Sequence, residues 1–124
     1  MRTTMTYKTG TDLVNEAKER IREVTPREVL AMQQQNAQVV YLDVREPNEW
    51  NLGRLPGAIH IPRGQLESNI EARVGREETI VIYCARGNRS ALAADTLQQM
   101  GYENVSSMSE GFGGWIDVGG DVED

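Results

Sequence analysis

The stretch Thr79-Ile80-Val81-Ile82-Tyr83-Cys84-Ala85-Arg86-Gly87-Asn88-Arg89-Ser90 decides the fold and points to the chemistry. Its first half is an apolar, β-branched run, the composition of a strand buried in a parallel sheet. The run stops at Cys84, the only cysteine in the chain. A short turn with one glycine and two arginines follows, and Ala91-Leu92-Ala93-Ala94-Asp95-Thr96-Leu97 continues as a helix. A strand–turn–helix unit of this kind points successive backbone N–H groups and a helix N-terminus into one small concavity, which binds anions. The same donors and the helix dipole stabilise a thiolate. A lone cysteine at the end of a strand is otherwise a small buried hydrophobe. Core packing, however, gives no reason for Arg86, Gly87 and Arg89 directly after it. Cys84 is therefore read as a candidate nucleophile, and the arginines as a sign of an anionic substrate.

Strand and helix patterns alternate along the rest of the chain. Asp12 to Val24 reads as an amphipathic helix, with Val14, Ala17, Ile21 and Val24 on one side. Its apolar side is expected to pack on the body of the domain, with a dimer face as the alternative. Glu23 and Val24 also fit a short edge strand. Thr25-Pro26-Arg27-Glu28 is a helix start, with Thr25 as N-cap, Pro26 in the first turn and Glu28 placed to close a capping box. The helix from Arg27 to Gln35 leads to a buried strand at Val39 to Leu42. Trp50 falls in a short helix, Ala58 to Ile61 in a short strand, and Gln65 to Val74 in a helix. Ser90 to Met100 is a helix stopped by Gly101. Asn104 to Ser106 is the last strand and Phe112 to Asp117 the last helix. This alternation implies an α/β domain with a mostly parallel sheet of about five short strands and helices on both faces. Ligands of such sheets bind beyond the carboxyl ends of the strands, where Cys84 and Asp43 both fall.

Composition narrows the function classes. The 124 residues are 39% hydrophobic and 26% charged, which suits one folded domain. The net charge of −6 argues against nucleic acid as a partner, because phosphate binding needs a basic face. No stretch has the apolar length of a membrane span. Residues 1–10 are polar, read as mobile, and lack the apolar centre of a secretory signal, so a cytoplasmic location is expected. One cysteine makes neither an internal disulfide nor a multi-cysteine zinc site, so no metal or cofactor is expected.

Four segments, in order, carry a family resemblance. Cys84-Ala85-Arg86-Gly87-Asn88-Arg89-Ser90 resembles the active-site loop of a rhodanese, a sulfurtransferase domain. Asp43-Val44-Arg45-Glu46-Pro47-Asn48-Glu49 resembles the family's Asp-Val-Arg-x-x-x-Glu segment. Gly53-Arg54-Leu55-Pro56-Gly57-Ala58-Ile59-His60-Ile61-Pro62 resembles its Gly-His-x-Pro-Gly-Ala-x-x-Ile-Pro segment, with Arg54 where histidine is frequent. Glu110-Gly111-Phe112-Gly113-Gly114-Trp115 resembles the C-terminal Gly-Gly and Trp signature. The resemblance implies a rhodanese-like domain over residues 24–124, preceded by an N-terminal extension over residues 1–23 that carries the amphipathic helix.

The resemblance also implies a reaction. Cys84 takes sulfane sulfur from a thiosulfate-like anion as a persulfide and passes it to cyanide, a thiol or a sulfur-carrier protein. Ala85, Arg86, Gly87, Asn88, Arg89 and Ser90 then form the substrate-binding loop, with Asp43 and Arg45 in support. Asp43 fits either charge tuning at the site or a loop anchor. Arg45 and Glu49 are expected to pair along a helical turn. His60 and the tryptophans Trp50 and Trp115 are read as structural, and Gly113-Gly114 as a close backbone approach at the site's edge. Two rivals remain. A non-catalytic rhodanese-like module that binds partners typically lacks the cysteine or the loop glycine, both present here. A phosphatase or arsenate-reductase type enzyme places arginine six residues after its cysteine, where this chain has Ser90, and commonly has histidine where Tyr83 stands.

Overall fold

The fold follows from three short, buried strands, the middle one an unbroken apolar run, that have to be covered on both sides. The computed structural model describes residues 6–124. Its strands are β1 (Arg22–Val24), β2 (Val40–Asp43), β3 (Ile59–His60), β4 (Ile80–Tyr83) and β5 (Val105–Met108). Its α-helices are α1 (Gly10–Arg20), α2 (Pro26–Gln34), α3 (Pro47–Asn51), α4 (Leu66–Arg73), α5 (Asn88–Gln99) and α6 (Gly111–Asp117). The strands form one parallel sheet in the order β1-β5-β4-β2-β3. The central position of β4 explains why it carries no polar side chain before Tyr83: all four of its residues are buried.

Alternation along the strands divides the core into two layers. Leu42, Ile80, Ile82 and Cys84 pack with Leu66, Ile70, Ala93, Ala94 and Leu97, so α4 and α5 cover this face. Tyr41, Val81 and Tyr83 pack with Val29, Leu55 and Trp115, so α2 and α6 cover the other. Asp43 and Tyr83 are register partners at the ends of β2 and β4. The turns that follow these two strands, with Cys84 on one of them, therefore leave the same edge of the sheet.

The expected α/β architecture is present, and most of its boundaries lie within two residues of their expected positions. Thr25 caps α2 in a capping box with Glu28, as expected. The N-terminal helix differs. Thr9 caps it through Asp12, so it begins at Gly10, and it ends at Arg20 instead of running to Val24. Val24 pairs with Met108, and the backbone of residues 22–24 satisfies its hydrogen bonds on β5. The edge strand thus takes the last turn that helical spacing had assigned to the helix. The reading of residues 1–10 as mobile falls partly on residues 1–5, outside the described residues. Helix α1 rests against α5: Ala17 is fully buried, and Arg20 donates from Nε and Nη2 to the two carboxylate oxygens of Asp95 at 3.0 and 2.8 Å. No helix among the described residues is long and apolar enough to cross a membrane.

Candidate active site

The turn after β4 closes around one sulfur atom. The N–H groups of Gly87 and Ser90 point at Cys84 Sγ, at 3.1 and 3.3 Å. Gly87 has φ of +100°, the left-handed region, which turns the chain back so that α5 starts directly below the sulfur. A side chain at Gly87 would also press on the backbone of Glu110, so both conformation and space call for glycine. Cys84 is buried at 1% exposure and forms the floor of a cavity of about 240 Å³. The other lining residues are Ala85, Arg86, Asn88 and Arg89. All seven residues of the sequence-read loop thus converge, five as walls and two, Gly87 and Ser90, as N–H donors. Two N–H groups, and the positive end of a twelve-residue helix, face the sulfur and can hold a negative charge there.

Behind the sulfur lies a second layer that sequence reasoning missed. Ser107 on β5 is fully buried, and its Oγ lies 2.8 Å from Ser90 Oγ, which lies 3.4 Å from Cys84 Sγ. When the sulfur is anionic it accepts only, so the Ser90 hydroxyl donates to it and Ser107 donates to Ser90. The available signal was a pair of serines inside the buried strand Val105-Ser106-Ser107-Met108, where nothing in the core requires a hydroxyl.

The loop is held open from outside by α6. The N–H of Phe112 donates to the Cys84 carbonyl at 2.8 Å and that of Gly113 to the Ala85 carbonyl at 3.3 Å. These helix-start donors have no partner within their own helix. They tie the two carbonyls to α6, while the N–H groups of Gly87 and Ser90 face the sulfur. Close approach is permitted by Gly111, where a Cβ would collide with the carbonyl groups of Cys84 and Ala85. This corrects the sequence reading: Gly113 is not crowded at this edge, and Gly114 makes its close approach to Pro26 and Glu110.

The charged residues pair differently from their spacing. Arg45 does not pair with Glu49 along a turn. It is 4% exposed, and its Nε and Nη2 bind Asp43, with Nη2 also donating to the Gly53 carbonyl. Phe112 and Tyr83 cover its guanidinium, at 4.3 and 5.5 Å. Asp43 also accepts from the Arg45 N–H at 2.8 Å, so the pair anchors the turn after β2 and lines no part of the mouth. Glu49 instead reaches Arg89, whose Nη1 and Nη2 donate to its two oxygens at 3.0 and 3.2 Å. The Arg89 guanidinium holds the Glu49 carboxyl below its ordinary range. Arg86 is exposed and has no ion pair among the described residues.

His60 stacks on Trp50 at 4.7 Å, and its Nε2–H donates to the Arg45 carbonyl at 2.8 Å, a structural role. Arg54 lies over the Trp50 ring at 4.5 Å, which anchors the Gly53–Gly57 segment to α3. Trp115 is fully buried against Gly120. Tyr83 sits on the opposite face of the sheet from Cys84, accepting from the Leu55 N–H at 3.1 Å, and burial pushes its hydroxyl far above the ordinary tyrosine range. Among the described residues no cluster of His, Cys, Asp or Glu is placed to hold a metal.

Two outcomes follow from this geometry. Ser107→Ala should slow iodoacetamide alkylation of Cys84 at neutral pH by about fivefold, the kinetic equivalent of roughly 1 kcal/mol for one hydrogen bond. Because Ser107 acts through Ser90, the Ser90→Ala/Ser107→Ala double variant should be no slower than Ser90→Ala alone; additive losses would separate the two hydroxyls. The second outcome concerns Glu49. A carboxyl lowered in the folded state stabilises the fold above its ordinary value, and that contribution is lost as pH falls through the lowered value. Glu49→Gln should therefore be less stable than the parent protein at neutral pH, by up to about 1 kcal/mol for a pair only partly buried. The two should draw together in thermal melts as pH falls below the ordinary glutamate range and converge below the lowered value; a gap unchanged in acid would rule the ion pair out as its source.

Comparison with known proteins gives the family. A family model described as the rhodanese-like domain matches residues 25–117. The chain is 35% identical over 74 residues to a Bacillus subtilis protein named putative sulfur carrier protein YrkF, covering 60% of this chain and 40% of that one. It is 32% identical over 80 residues to thiosulfate sulfurtransferase GlpE of Tolumonas auensis, covering 64% and 74% respectively. The chain spans between 24% and 61% of the length of three other matches among its curated relatives, YrkF included. A solved structure from Rhodopseudomonas palustris, described as a protein of unknown function and possible tyrosine phosphatase, superposes with a TM-score of 0.87 at 36% identity over 99% of both chains. With three quarters of its length matched by the family model and its cysteine loop formed, the chain belongs to the rhodanese-like family, among relatives named as sulfurtransferases.

Proposed function

We propose that this protein is a sulfurtransferase that carries sulfane sulfur on Cys84. The observation that carries the reading is the convergence of the Gly87 and Ser90 N–H groups on Cys84 Sγ beneath an open mouth. In the first step the Cys84 thiolate attacks the outer sulfur of a thiosulfate-like donor. The bond between the donor's two sulfurs breaks, and sulfite leaves with the electron pair. Cys84 is left as a persulfide whose anionic outer sulfur sits among the loop's N–H donors. In the second step a nucleophilic acceptor takes the outer sulfur, and Sγ departs as thiolate. Neither step requires a metal or cofactor.

The two loop arginines have different tasks in this scheme. Arg89 has both terminal nitrogens on Glu49, so it braces the loop. Arg86 is exposed at the rim, without an ion pair among the described residues, and meets the donor's sulfonate. The acceptor is a thiol or a sulfur-carrier protein; the name of GlpE supports the thiosulfate donor and that of YrkF a sulfur-carrier role. A single reduced cysteine suits a reducing compartment, and we assign the reaction to the cytoplasm.

The description of the Rhodopseudomonas structure as a possible tyrosine phosphatase favours a second reading. Against it, position 90 is a serine whose hydroxyl is spent on the sulfur, and the nearest arginine is committed to Glu49. Cleavage of p-nitrophenyl phosphate at a rate that depends on Cys84 would favour the phosphatase.

The direct test is the intact mass of reduced protein before and after thiosulfate, followed by cyanide. The expected result is a gain of one sulfur atom, reversed by cyanide, and no gain in a folded Cys84→Ser variant. A gain that survives this substitution would reassign the nucleophile. Arg86→Ala should raise the KM for thiosulfate about tenfold or more, the loss of one charge-assisted contact, with kcat nearly unchanged. An equal fall in kcat would mean that Arg86 shapes the loop instead.

A further inference from the structure

The mouth above Cys84 shares a wall with a second, larger cavity. This one has a volume of about 360 Å³ and lies between α1 and α5. Asn88, the first residue of α5, lines both. The other cavities near the sheet lie elsewhere. One of about 430 Å³ is walled by Val39, Glu77, Glu78 and Thr79 at the amino ends of β2 and β4, the end opposite Cys84. One of about 370 Å³ between α2 and α6 shares no residue with the mouth.

The lining of the α1–α5 cavity has a definite chemistry. Leu13, Val14 and Leu92 supply apolar walls, and Leu13 is 49% exposed, a large hydrophobe open to solvent. Lys18 is the one charged residue on the wall, and it has no ion pair among the described residues. A cationic lining without an acidic residue stands out in a chain of net charge −6. Helix α1, one wall of the cavity, is held at both ends. The Thr9–Asp12 capping box fixes the start of α1, and the two-pronged Arg20–Asp95 pair fixes its end on α5. From Asn88 to Leu92 is one helical turn, roughly 6 Å along the axis. Volumes of this size hold small ligands in apolar clefts with a few placed polar groups.

We propose that this cavity seats the non-reacting arm of the sulfur acceptor: a thiol carried on an apolar arm that ends in a carboxylate. The sulfur lies at the Cys84 mouth, the arm passes Asn88 and runs between Leu13, Val14 and Leu92, and the carboxylate meets Lys18. The proposal rests on the persulfide reading of Cys84. In the transfer step the acceptor thiolate attacks the outer sulfur of the Cys84 persulfide. A bond forms between those two sulfurs, the bond from Sγ to the outer sulfur breaks, and Sγ keeps the electron pair. The step is a displacement and consumes no oxidant or reductant. Helix α1 lies outside residues 25–117, so this part of the site belongs to the N-terminal extension and not to the matched domain.

Two measurements separate this inference from the reading beneath it. The first is binding of an inert probe, methylthio-octanoate, followed by amide NMR shifts. Saturable shifts at Leu13, Lys18 and Leu92 are expected, lost in Lys18→Glu; no shift there overturns the inference, whether or not Cys84 carries sulfur. The second loads the protein with thiosulfate and follows discharge of the added sulfur by mass. Mercaptooctanoate should discharge it about tenfold faster than mercaptopropanoate, through burial of the extra methylenes, and faster than the uncharged mercaptooctanol. Lys18→Glu should erase the advantage over the alcohol, and Leu92→Gln the advantage of length, with discharge by cyanide unchanged in both. Equal rates for long and short thiols, or advantages untouched by both substitutions, overturn the inference and leave sulfur transfer standing. Probe binding without any loading by thiosulfate removes the transfer reading and keeps the cavity as a seat for a carboxylate-ended arm.

Discussion

Everything at the mouth depends on where two carbonyl groups point. Cys84 and Ala85 follow directly from a buried parallel strand, and their carbonyls have lost the ladder partners that β5 and β2 supply to β4. The first N–H groups of α6 take them up, through Phe112 and Gly113. With those oxygens occupied outside the loop, the N–H groups of Gly87 and Ser90 can converge on the sulfur within. The arrangement requires the start of α6 to lie against the loop backbone, which only Gly111 permits, at a φ of +56°. Next to it Glu110, which has a side chain, also adopts a positive φ, of +62°. A non-glycine residue in this conformation persists where surrounding contacts determine it.

A second set of constraints comes from charge. The protein buries Arg45 and Asp43 together, a costly placement unless the charges are closely paired and hydrogen-bonded. Here the Nε and Nη2 of Arg45 bind Asp43 and Gly53, and two aromatic rings cover the guanidinium. The result is a rigid turn after β2, from which Glu49 projects toward α5. Glu49 then takes Arg89 from the next turn along the sheet edge. The two loops at the carboxyl edge are therefore joined through an ion pair, and of the loop arginines Arg86 is the one exposed without an ion pair among the described residues.

The loop itself is legible in the sequence alone. The apolar run into a single cysteine, the glycine after it and the helix beyond it are local features, and local hydrogen bonding shapes them. The alternation of strands and helices was legible for the same reason: period-two and helical spacing report burial directly. Elements whose partners lie far along the chain were not. Residues 22–24 continue a helical pattern, yet pairing with β5 makes them strand. Glu49 stands four residues from Arg45, an ordinary helical pair, yet its partner is forty residues away. Ser107 carries no motif at all and acquires meaning only because β5 lies beside β4.

By itself the sequence determined the class of fold, the cysteine, the turn that surrounds it and the family, because each is written in contiguous residues or in short motifs in order. The tertiary structure decided which arginine is free, which glycine lets the backbones meet, which serine stands behind the sulfur, and that α1 forms one wall of a cavity beside the mouth. Each of these is a contact between segments distant in the chain. Such contacts are selected by packing and by the need to satisfy buried polar groups, and neither leaves a local period in the sequence.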